Sequence, residues 1–171
     1  DELSGINTAM EQAVRDLPDP LRLPAVRSTL TPGKRLRPLV CVAVARCLGL
    51  SGNSVFPLAA AIEILHCATL IHDDILDQAP FRRGRPTAHC SFGAHQAILA
   101  GDALFALASR LTAGYGRPEL VSAFSEAVER TVAGQALEWS LLHAPSIGRA
   151  EYEQIIAGKT AALFEAATLS G

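Results

Sequence analysis

The sequence predicts an all-α fold, a bundle of about six helices formed by a single domain over residues 1–171. Apolar residues recur at helical spacing almost throughout, and strict apolar–polar alternation between hairpin turn signals is missing. Hydrophobic residues make up 49% of the chain, which is enough for a real core at this length. Several segments are apolar on most faces and are expected at the centre of the bundle.

The first half of the chain contains three predicted helices. The first covers residues 3–16 and is ended by the proline-rich segment LPDPLRLP. The second covers 38–49, between GKRLRP and Gly49. Ser54 is the predicted N-cap of the third, which carries Pro57 in its first turn and is apolar over 56–78, before Pro80.

The second half begins with a predicted loop, QAPFRRGRPTAHCSFG. A helix is then expected over 94–111, and Pro118 begins the next one, which extends to about residue 143. The segment HAPSIG separates it from a last helix over 149–169.

Composition excludes some functions. A net charge of −2 and a sequence pI of about 6.2 give no basic footprint for nucleic acid. Apolar runs such as 39–45 are too short to span a bilayer, so no transmembrane segment is expected. The four cysteines lack metal-ligand spacing and lie among apolar residues, which predicts buried free thiols and a cytoplasmic protein: Cys41, Cys47, Cys67 and Cys90.

Three of the seven aspartates fall within five positions, at Asp73, Asp74 and Asp77. On a helix, Asp73 and Asp77 share one face and repel each other. They also follow an apolar helix, near its negative dipole end, so a compensating cation is expected. Oxygen ligands with open positions suit Mg²⁺, which often shares its coordination with substrate phosphates. The alternative is an acidic helix end that simply meets solvent.

Basic residues flank the acidic cluster in sequence. The loop after it contains Arg82, Arg83 and Arg85, and guanidinium groups bind phosphate bidentately. The chain has thirteen arginines and only two lysines, and both lysines follow a glycine, at Lys34 and Lys159. Each stretch alone is better explained as ordinary surface charge. Acids and bases together predict a diphosphate held between Mg²⁺ and cationic side chains.

Five segments in order, GKRLRP, EILHCATLIHDDILD, FRRGRPTAH, AILAGDAL and GKTAALFEAA, resemble the trans-isoprenyl diphosphate synthases of the polyprenyl synthetase family. The resemblance covers about residues 32–171. It implies an all-α bundle around a deep central cavity. It also implies a transferase that joins isopentenyl diphosphate to an allylic diphosphate, with Mg²⁺ assisting ionisation, to give a trans-polyprenyl diphosphate.

The resemblance also assigns roles to individual residues. Asp73 and Asp77 would bind Mg²⁺, with Asp74 in the same catalytic motif, and Arg82 and Lys159 would be catalytic as well as substrate-binding. The expected isopentenyl diphosphate ligands are Lys34, Arg37, His66 and Arg83, and the expected allylic-side ligands are Arg82, Lys159, Thr160 and Gln135. The remaining histidines are expected to be structural.

Product length is predicted from the residues just before the acidic cluster. Thr69 lies one turn before Asp73 on the same face, with Ala68 beside it. Short-chain members of the family often have an aromatic side chain there. Two small residues therefore predict an open cavity floor and a product longer than fifteen carbons.

One family feature is missing from the sequence: the second Asp-rich motif, which completes the Mg²⁺ site. We therefore expect the domain to be incomplete at its C-terminus, with the last helices absent. The alternatives are a non-catalytic subunit of a heteromeric synthase and a related helical protein that binds diphosphate without chemistry. A purely structural or metal-binding protein explains the acids but not the bases. By analogy, a homodimer through residues 93–111 is expected, with a heteromer as the alternative.

Overall fold

The computed structural model describes residues 1–30 and 33–171. Its elements, in chain order, are α1 (Glu2–Arg15), α2 (Asp19–Thr29), α3 (Leu36–Cys47), α4 (Phe56–Leu76), β1 (Phe81–Arg82), β2 (Arg85–Pro86), α5 (Ala88–Phe92), α6 (Ala94–Ala113), α7 (Pro118–Ser140), α8 (Arg149–Ile156), a π-helical turn (Ala157–Ala161) and α9 (Ala162–Ser170). The predicted all-α bundle is confirmed, apart from one short pair of strands.

Helix α4 is the centre of the bundle. It packs against α1, α2, α3, α6 and α9, and every residue from Leu58 to Leu65 is buried. Within residues 1–30 and 33–171, α4 is also the one helix that is long and apolar enough to cross a bilayer. Because 61% of this stretch is buried inside the protein, its apolar character is explained by its position in the core.

Helix α2 occupies a segment that was predicted to break the chain. Pro20 lies in its first turn, where a missing N–H costs nothing, and Pro24 is tolerated inside the helix as a buried residue. Asp19 and Arg22 form an ion pair one turn apart. The prolines therefore mark the beginning of a helix rather than a long break.

The start of α4 is stabilised differently from the prediction. Ser54 does not cap the helix; Val55 is the N-cap residue and provides no side-chain bond. The Tyr115 hydroxyl accepts a hydrogen bond from the Leu58 N–H at 3.1 Å and donates one to the Ser54 carbonyl. A residue distant in sequence thus provides a hydrogen-bond acceptor for a backbone N–H in the first turn of α4. Pro57 lies in that turn, as predicted.

The predicted loop after α4 contains an antiparallel hairpin in which Arg82 pairs with Arg85. The two turn residues, Arg83 and Gly84, both have positive φ, 51° and 74°. This combination is typical of a tight type I′ turn, and it fixes the direction of the arginine side chains. The hairpin was not predicted because its strands have only two residues each.

The expected burial of the cysteines is only half correct. All four are free, but Cys47 and Cys90 are exposed whereas Cys41 and Cys67 are buried. Cys47 lies in the last turn of α3 and Cys90 in the short α5. Ala45 on α3 and Ala88 on α5 are buried, so the residues that enter the core near each cysteine lie on other faces of these helices.

Candidate functional site

The predicted site residues come from four parts of the fold. These are the C-terminal end of α4, the β1–β2 hairpin, the first turn of α3, and the C-terminal half of α7 with the π-helical turn. The acids on α4 and the bases around it meet at one end of the bundle. Several of these residues line three hollows, two of which share part of their walls.

Asp73 and Asp77 are two carboxylates on one face of α4. Within the described part of the chain, neither of them forms a salt bridge. Burial raises the pKa of Asp73, the Lys159 charge opposes this rise, and the Asp77 carboxylate adds to it. Asp77 is exposed at the C-cap of the helix. The pair therefore lacks a direct ion-pair partner among the described residues, although the Lys159 charge acts on Asp73.

The donor set of Asp73 and Asp77 fits Mg²⁺. Among residues 1–30 and 33–171, no cluster of three or more acidic, histidine or cysteine side chains could hold a metal by itself. Two carboxylates with further positions left open are nevertheless what Mg²⁺ requires, because this ion usually retains waters and binds substrate phosphate oxygens. Asp73 and Asp77 would hold the ion, and the diphosphate would complete its coordination.

Asp74 has a different role from its neighbours. Its side chain is 7% exposed and accepts a hydrogen bond from Arg82 Nε at 2.7 Å. Burial raises the pKa of Asp74 and the hydrogen bond from Arg82 opposes this rise. Asp74 thus orients Arg82.

An apolar cavity of about 350 Å³ opens beside Asp73. Its wall combines side chains of α4, α6 and α7, among them Thr69, Leu76, Phe105, Val132, Gln135 and Trp139. A groove of about 410 Å³ adjoins it and shares Leu76 and Trp139. Asp77 and Lys159 line that groove. An acidic rim and an apolar hollow are therefore side by side.

Arg82 and Arg83 line a third hollow, a cleft of about 50 Å³ that also contains Asp74. Asp73 and Arg82, both expected at the allylic diphosphate, therefore line different hollows. Asp73 and Asp74 are neighbours on a helix, so they point about 100° apart, and Arg82 follows Asp74. The Arg82 charge still lowers the pKa of Asp73, which places the guanidinium within electrostatic reach.

Gln135 lies in the cavity wall next to Asp73. Among the described residues, neither its amide nitrogen nor its amide oxygen has a hydrogen-bond partner, although both atoms are buried. A buried amide without partners is costly unless a ligand satisfies it. Its position therefore supports the predicted allylic-side role.

Lys159 is held by the π-helical turn that interrupts the predicted last helix. Its ammonium group pairs with Glu138 on α7. The turn fits against α7 because Gly158 packs on Gly134, where a Cβ on Gly158 would lie 2.5 Å from the Arg130 carbonyl oxygen. Such π-turns are frequent at functional sites. Thr160, the next residue, is exposed on the same turn.

The start of α3 brings three cations to the site, because Lys34 and Arg35 directly precede the helix and Arg37 lies in its first turn. Lys34 is exposed, Arg37 is half-buried with its guanidinium 4.6 Å from the centre of the Phe164 ring, and Arg35 is 5% exposed. Burial lowers the pKa of Arg37, and the Glu63 charge opposes this. Arg37 Nε is buried and has no hydrogen-bond partner in the described part of the chain. This donor is therefore available to an anionic ligand.

Arg83 connects this segment to the hairpin. A Cβ on Gly33 would lie 2.5 Å from Arg83 Nη1, so the arginine packs directly on the glycine. Two basic stretches that are distant in sequence therefore meet, as the diphosphate hypothesis requires. His66 lies at their junction, because the charges of Arg37, Arg83, Arg82 and Arg35 all act on it.

Burial, together with these arginine charges, lowers the pKa of His66 to about 3. The imidazole is therefore neutral at physiological pH and acts as a hydrogen-bonding group. The unfolded chain binds a proton below the ordinary pKa of about 6.5, whereas the folded chain does not. The contribution of His66 to stability is consequently lost as the pH falls from about 6.5 towards 3.

We expect His66→Gln to remove this pH dependence. The wild type should lose about 2 kcal/mol more folding free energy than the variant between pH 7.5 and 5, measured by urea unfolding. The comparison with the variant cancels the contributions of Asp73 and Asp74, whose raised pKa values act in the opposite direction. The exposed His143, changed to glutamine, is the control; equal pH profiles for wild type and His66→Gln would contradict the expectation.

Two further sequence predictions need correction. Ala68 is fully buried in the core and does not share the cavity wall with Thr69, because adjacent helical residues face different directions. His72, expected to be only structural, lines the cavity beside Phe105, with their ring centres 5.7 Å apart. Thr69 and Asp73, which also line the cavity, lie on either side of His72 in the sequence, and this position could have indicated its place in the cavity wall.

Sequence reasoning also missed Glu63 and Glu138. Glu63 is 4% exposed and pairs with Arg35, and Glu138 pairs with Lys159. Glu63 is the one charged residue between 56 and 72. An isolated acid in an apolar helix requires a buried partner, which is the signal that could have identified it.

Comparison with known proteins agrees with the motif resemblance. The sequence model of the family described as polyprenyl synthetase matches residues 20–171. Octaprenyl diphosphate synthase of Escherichia coli (strain K12) is 39% identical over 135 residues, which are 79% of this chain and 42% of that protein. Geranylgeranyl diphosphate synthase of Saccharolobus solfataricus is 41% identical over 146 residues, covering 81% and 44% respectively.

Solved structures show the same similarity. Polyprenyl synthase from Caulobacter crescentus CB15, complexed with calcium and isoprenyl diphosphate, superposes with a TM-score of 0.93 at 34% identity, covering 99% of this chain and 52% of that one. Geranyltranstransferase from Thermotoga maritima gives a TM-score of 0.90 at 31% identity, covering 97% and 64%. The chain spans somewhat less than half the length of the two curated relatives it matches.

Proposed function

Because the chain belongs to the polyprenyl synthetase family, we propose that it functions in the condensation of isopentenyl diphosphate with an allylic diphosphate to give a trans-polyprenyl diphosphate. The observation that carries the proposal is the unpaired carboxylate pair, Asp73 and Asp77, beside an apolar cavity and facing Lys159. Acids alone would suit many metal sites. Acids, cations and an apolar hollow together suit a substrate with a diphosphate head and a hydrocarbon tail.

The allylic half of the site consists of Asp73, Asp77, Gln135 and Lys159. Mg²⁺ bound to the two carboxylates would supply electrostatic stabilisation of the diphosphate leaving group. Lys159 would leave Glu138 to bind the same group, with Thr160 and Arg82 beside it. The allylic C–O bond then breaks, and its electron pair departs with the diphosphate.

The isopentenyl half consists of Lys34, Arg37, His66 and Arg83. These groups would hold the second diphosphate so that its double bond faces the allylic carbon. The π electrons form the new C–C bond, and the neighbouring C–H gives up its proton, which the departing diphosphate accepts. The apolar wall with Thr69, Phe105 and Val132 keeps water away from the allylic cation.

The test of the proposed function is incorporation of labelled isopentenyl diphosphate into an extractable product in the presence of Mg²⁺ and geranyl or farnesyl diphosphate. Magnesium-dependent incorporation by the chain supports it. Incorporation that appears only after a second protein is added would instead favour the non-catalytic subunit. Absence of both incorporation and diphosphate binding would refute the proposal.

Product length belongs to the same proposal. With Thr69 in the cavity wall, the product should be longer than fifteen carbons, and Thr69→Phe should shorten it because the aromatic ring fills part of the 350 Å³ hollow. Mass spectrometry of the extracted products measures the change, with the exposed Thr8→Phe as the control. Farnesyl diphosphate as the sole wild-type product would contradict the open floor.

We also propose a cytoplasmic location, on the basis of four free cysteines, and a homodimer. Helix α6 exposes Ile98 and Leu99, 43% and 55% accessible, which supports α6 as the contact face. Sedimentation of the wild type and an Ile98→Glu/Leu99→Glu variant would test the dimer.

A further inference from the structure

A buried ion pair lies directly under the isopentenyl half of the site. Arg35 Nη1 is 2.9 Å from Glu63 Oε1, and both side chains are only 5% exposed. The Arg35 guanidinium also hydrogen-bonds the thiol of Cys67, one turn farther along α4. The pair therefore attaches the segment before α3 to the central helix at a point that solvent does not reach.

The backbone at Arg35 shows how closely this segment is held. Arg35 is the N-cap residue of α3 and has φ 51° and ψ 37°, a left-handed conformation that is unfavourable for a residue with a Cβ. A conformation of this kind persists where the surrounding contacts enforce it. The buried pair with Glu63 is one such contact.

The neighbours of the pair are the residues assigned to isopentenyl diphosphate. Lys34 precedes Arg35 directly, Arg37 follows two positions later, and His66 lies three residues after Glu63 on α4. The Glu63 charge also acts on Arg37. One buried carboxylate thus determines where the segment lies and compensates part of its charge.

We propose that the Arg35–Glu63 ion pair is a positioning device for the isopentenyl half of the site, holding Lys34 and Arg37 at the distance from His66 and Arg83 that one diphosphate requires. The proposal rests on the proposed function. A positioning pair differs from a merely structural one in its effect on binding. Loss of the pair should weaken the binding of isopentenyl diphosphate and leave binding at the allylic half unchanged. The allylic carboxylates, Asp73 and Asp77, lie about three to four helical turns farther along the chain from Glu63.

The test uses Glu63→Gln, which preserves shape and removes the charge. Isothermal titration with isopentenyl diphosphate, which cannot react without an allylic partner, should show a Kd raised about tenfold, as expected for a charge-assisted contact that has lost its geometry. The Kd of a bisphosphonate with Mg²⁺, which probes the allylic half, should stay within about twofold of the wild type. Equal weakening of both ligands, or no change in either, would overturn the proposal.

Two further variants keep the test decisive. Arg35→Met/Glu63→Leu replaces the pair by apolar side chains and is expected to fold even if Glu63→Gln does not. This variant should also bind isopentenyl diphosphate more weakly and the bisphosphonate normally. Wild-type binding of both ligands would refute positioning. Glu2→Gln is the matched control, since Glu2 pairs with Arg46 at the other end of α3, 2.9 Å away. A wild type that binds neither ligand would refute the proposed function itself, whereas normal binding by all variants would refute only the positioning role.

Discussion

Asp73→Ala is expected to lower the rate of prenyl transfer by about 10³-fold, the effect of removing a principal source of charge stabilisation from a leaving group. Asp73 is half-buried at the cavity mouth, and its carboxylate is the one that both the Lys159 and the Asp77 charges reach. Without it, Asp77 alone holds the cation from an exposed helix end. The magnesium-dependent binding of a bisphosphonate should therefore be lost together with the activity.

Two other aspartates provide the controls for this experiment. Asp102→Asn changes an exposed carboxylate on α6 that is 3.6 Å from His72 Nε2, and it should retain activity. Asp74→Asn should retain the dependence on magnesium but weaken diphosphate binding, because the 2.7 Å partner of Arg82 loses its negative charge. An Asp73→Ala protein with near wild-type activity would show that the ion is not held where we place it.

Gly158→Ala is expected to have the largest effect on stability and to displace Lys159 as well. The new Cβ would lie 2.5 Å from the Arg130 carbonyl oxygen and 3.0 Å from Gly134 Cα, both backbone atoms that cannot rotate away. Separating α7 from the π-helical turn should cost about 1–3 kcal/mol of unfolding free energy. Urea unfolding measures this cost, and titration with the bisphosphonate and Mg²⁺ measures the loss of binding.

Gly114→Ala is the matched glycine control. Gly114 has an ordinary helical backbone, with φ −59°, and an added Cβ would meet its nearest atom at 3.3 Å. Its unfolding free energy should change by no more than about 0.5 kcal/mol. If Gly158→Ala were equally neutral, the close contact between α7 and the turn would not be the feature that holds Lys159.

The sequence was sufficient to predict what depends on local spacing. Helical periodicity predicted the bundle, and the i, i+4 relation placed Asp73 and Asp77 on one face. Local spacing could not predict that Asp74 and Arg82 line a different hollow from Asp73 and Asp77. The direction of the Arg82 side chain depends on a turn with two positive φ angles. A hairpin with two-residue strands leaves too little pattern to recognise.

Contacts between residues distant in sequence could not be predicted either. Tyr115 replaces Ser54 at the start of α4, and Glu138 holds Lys159, each through a contact that no local pattern indicates. Glu63 had a signal in its isolation within an apolar helix, but its partner Arg35 could be identified only from the fold. Ala68, predicted beside Thr69, instead faces the core, because adjacent residues of a helix point about 100° apart.

The most direct measurement is a titration of the wild-type chain with a bisphosphonate and Mg²⁺, separately and together. A diphosphate site built from two carboxylates and opposing cations predicts weak or no binding of either ligand alone and strong binding of both. If Mg²⁺ bound equally well with and without the bisphosphonate, or the bisphosphonate equally well with and without Mg²⁺, the assignment of Asp73 and Asp77 to a shared magnesium–diphosphate site would be contradicted.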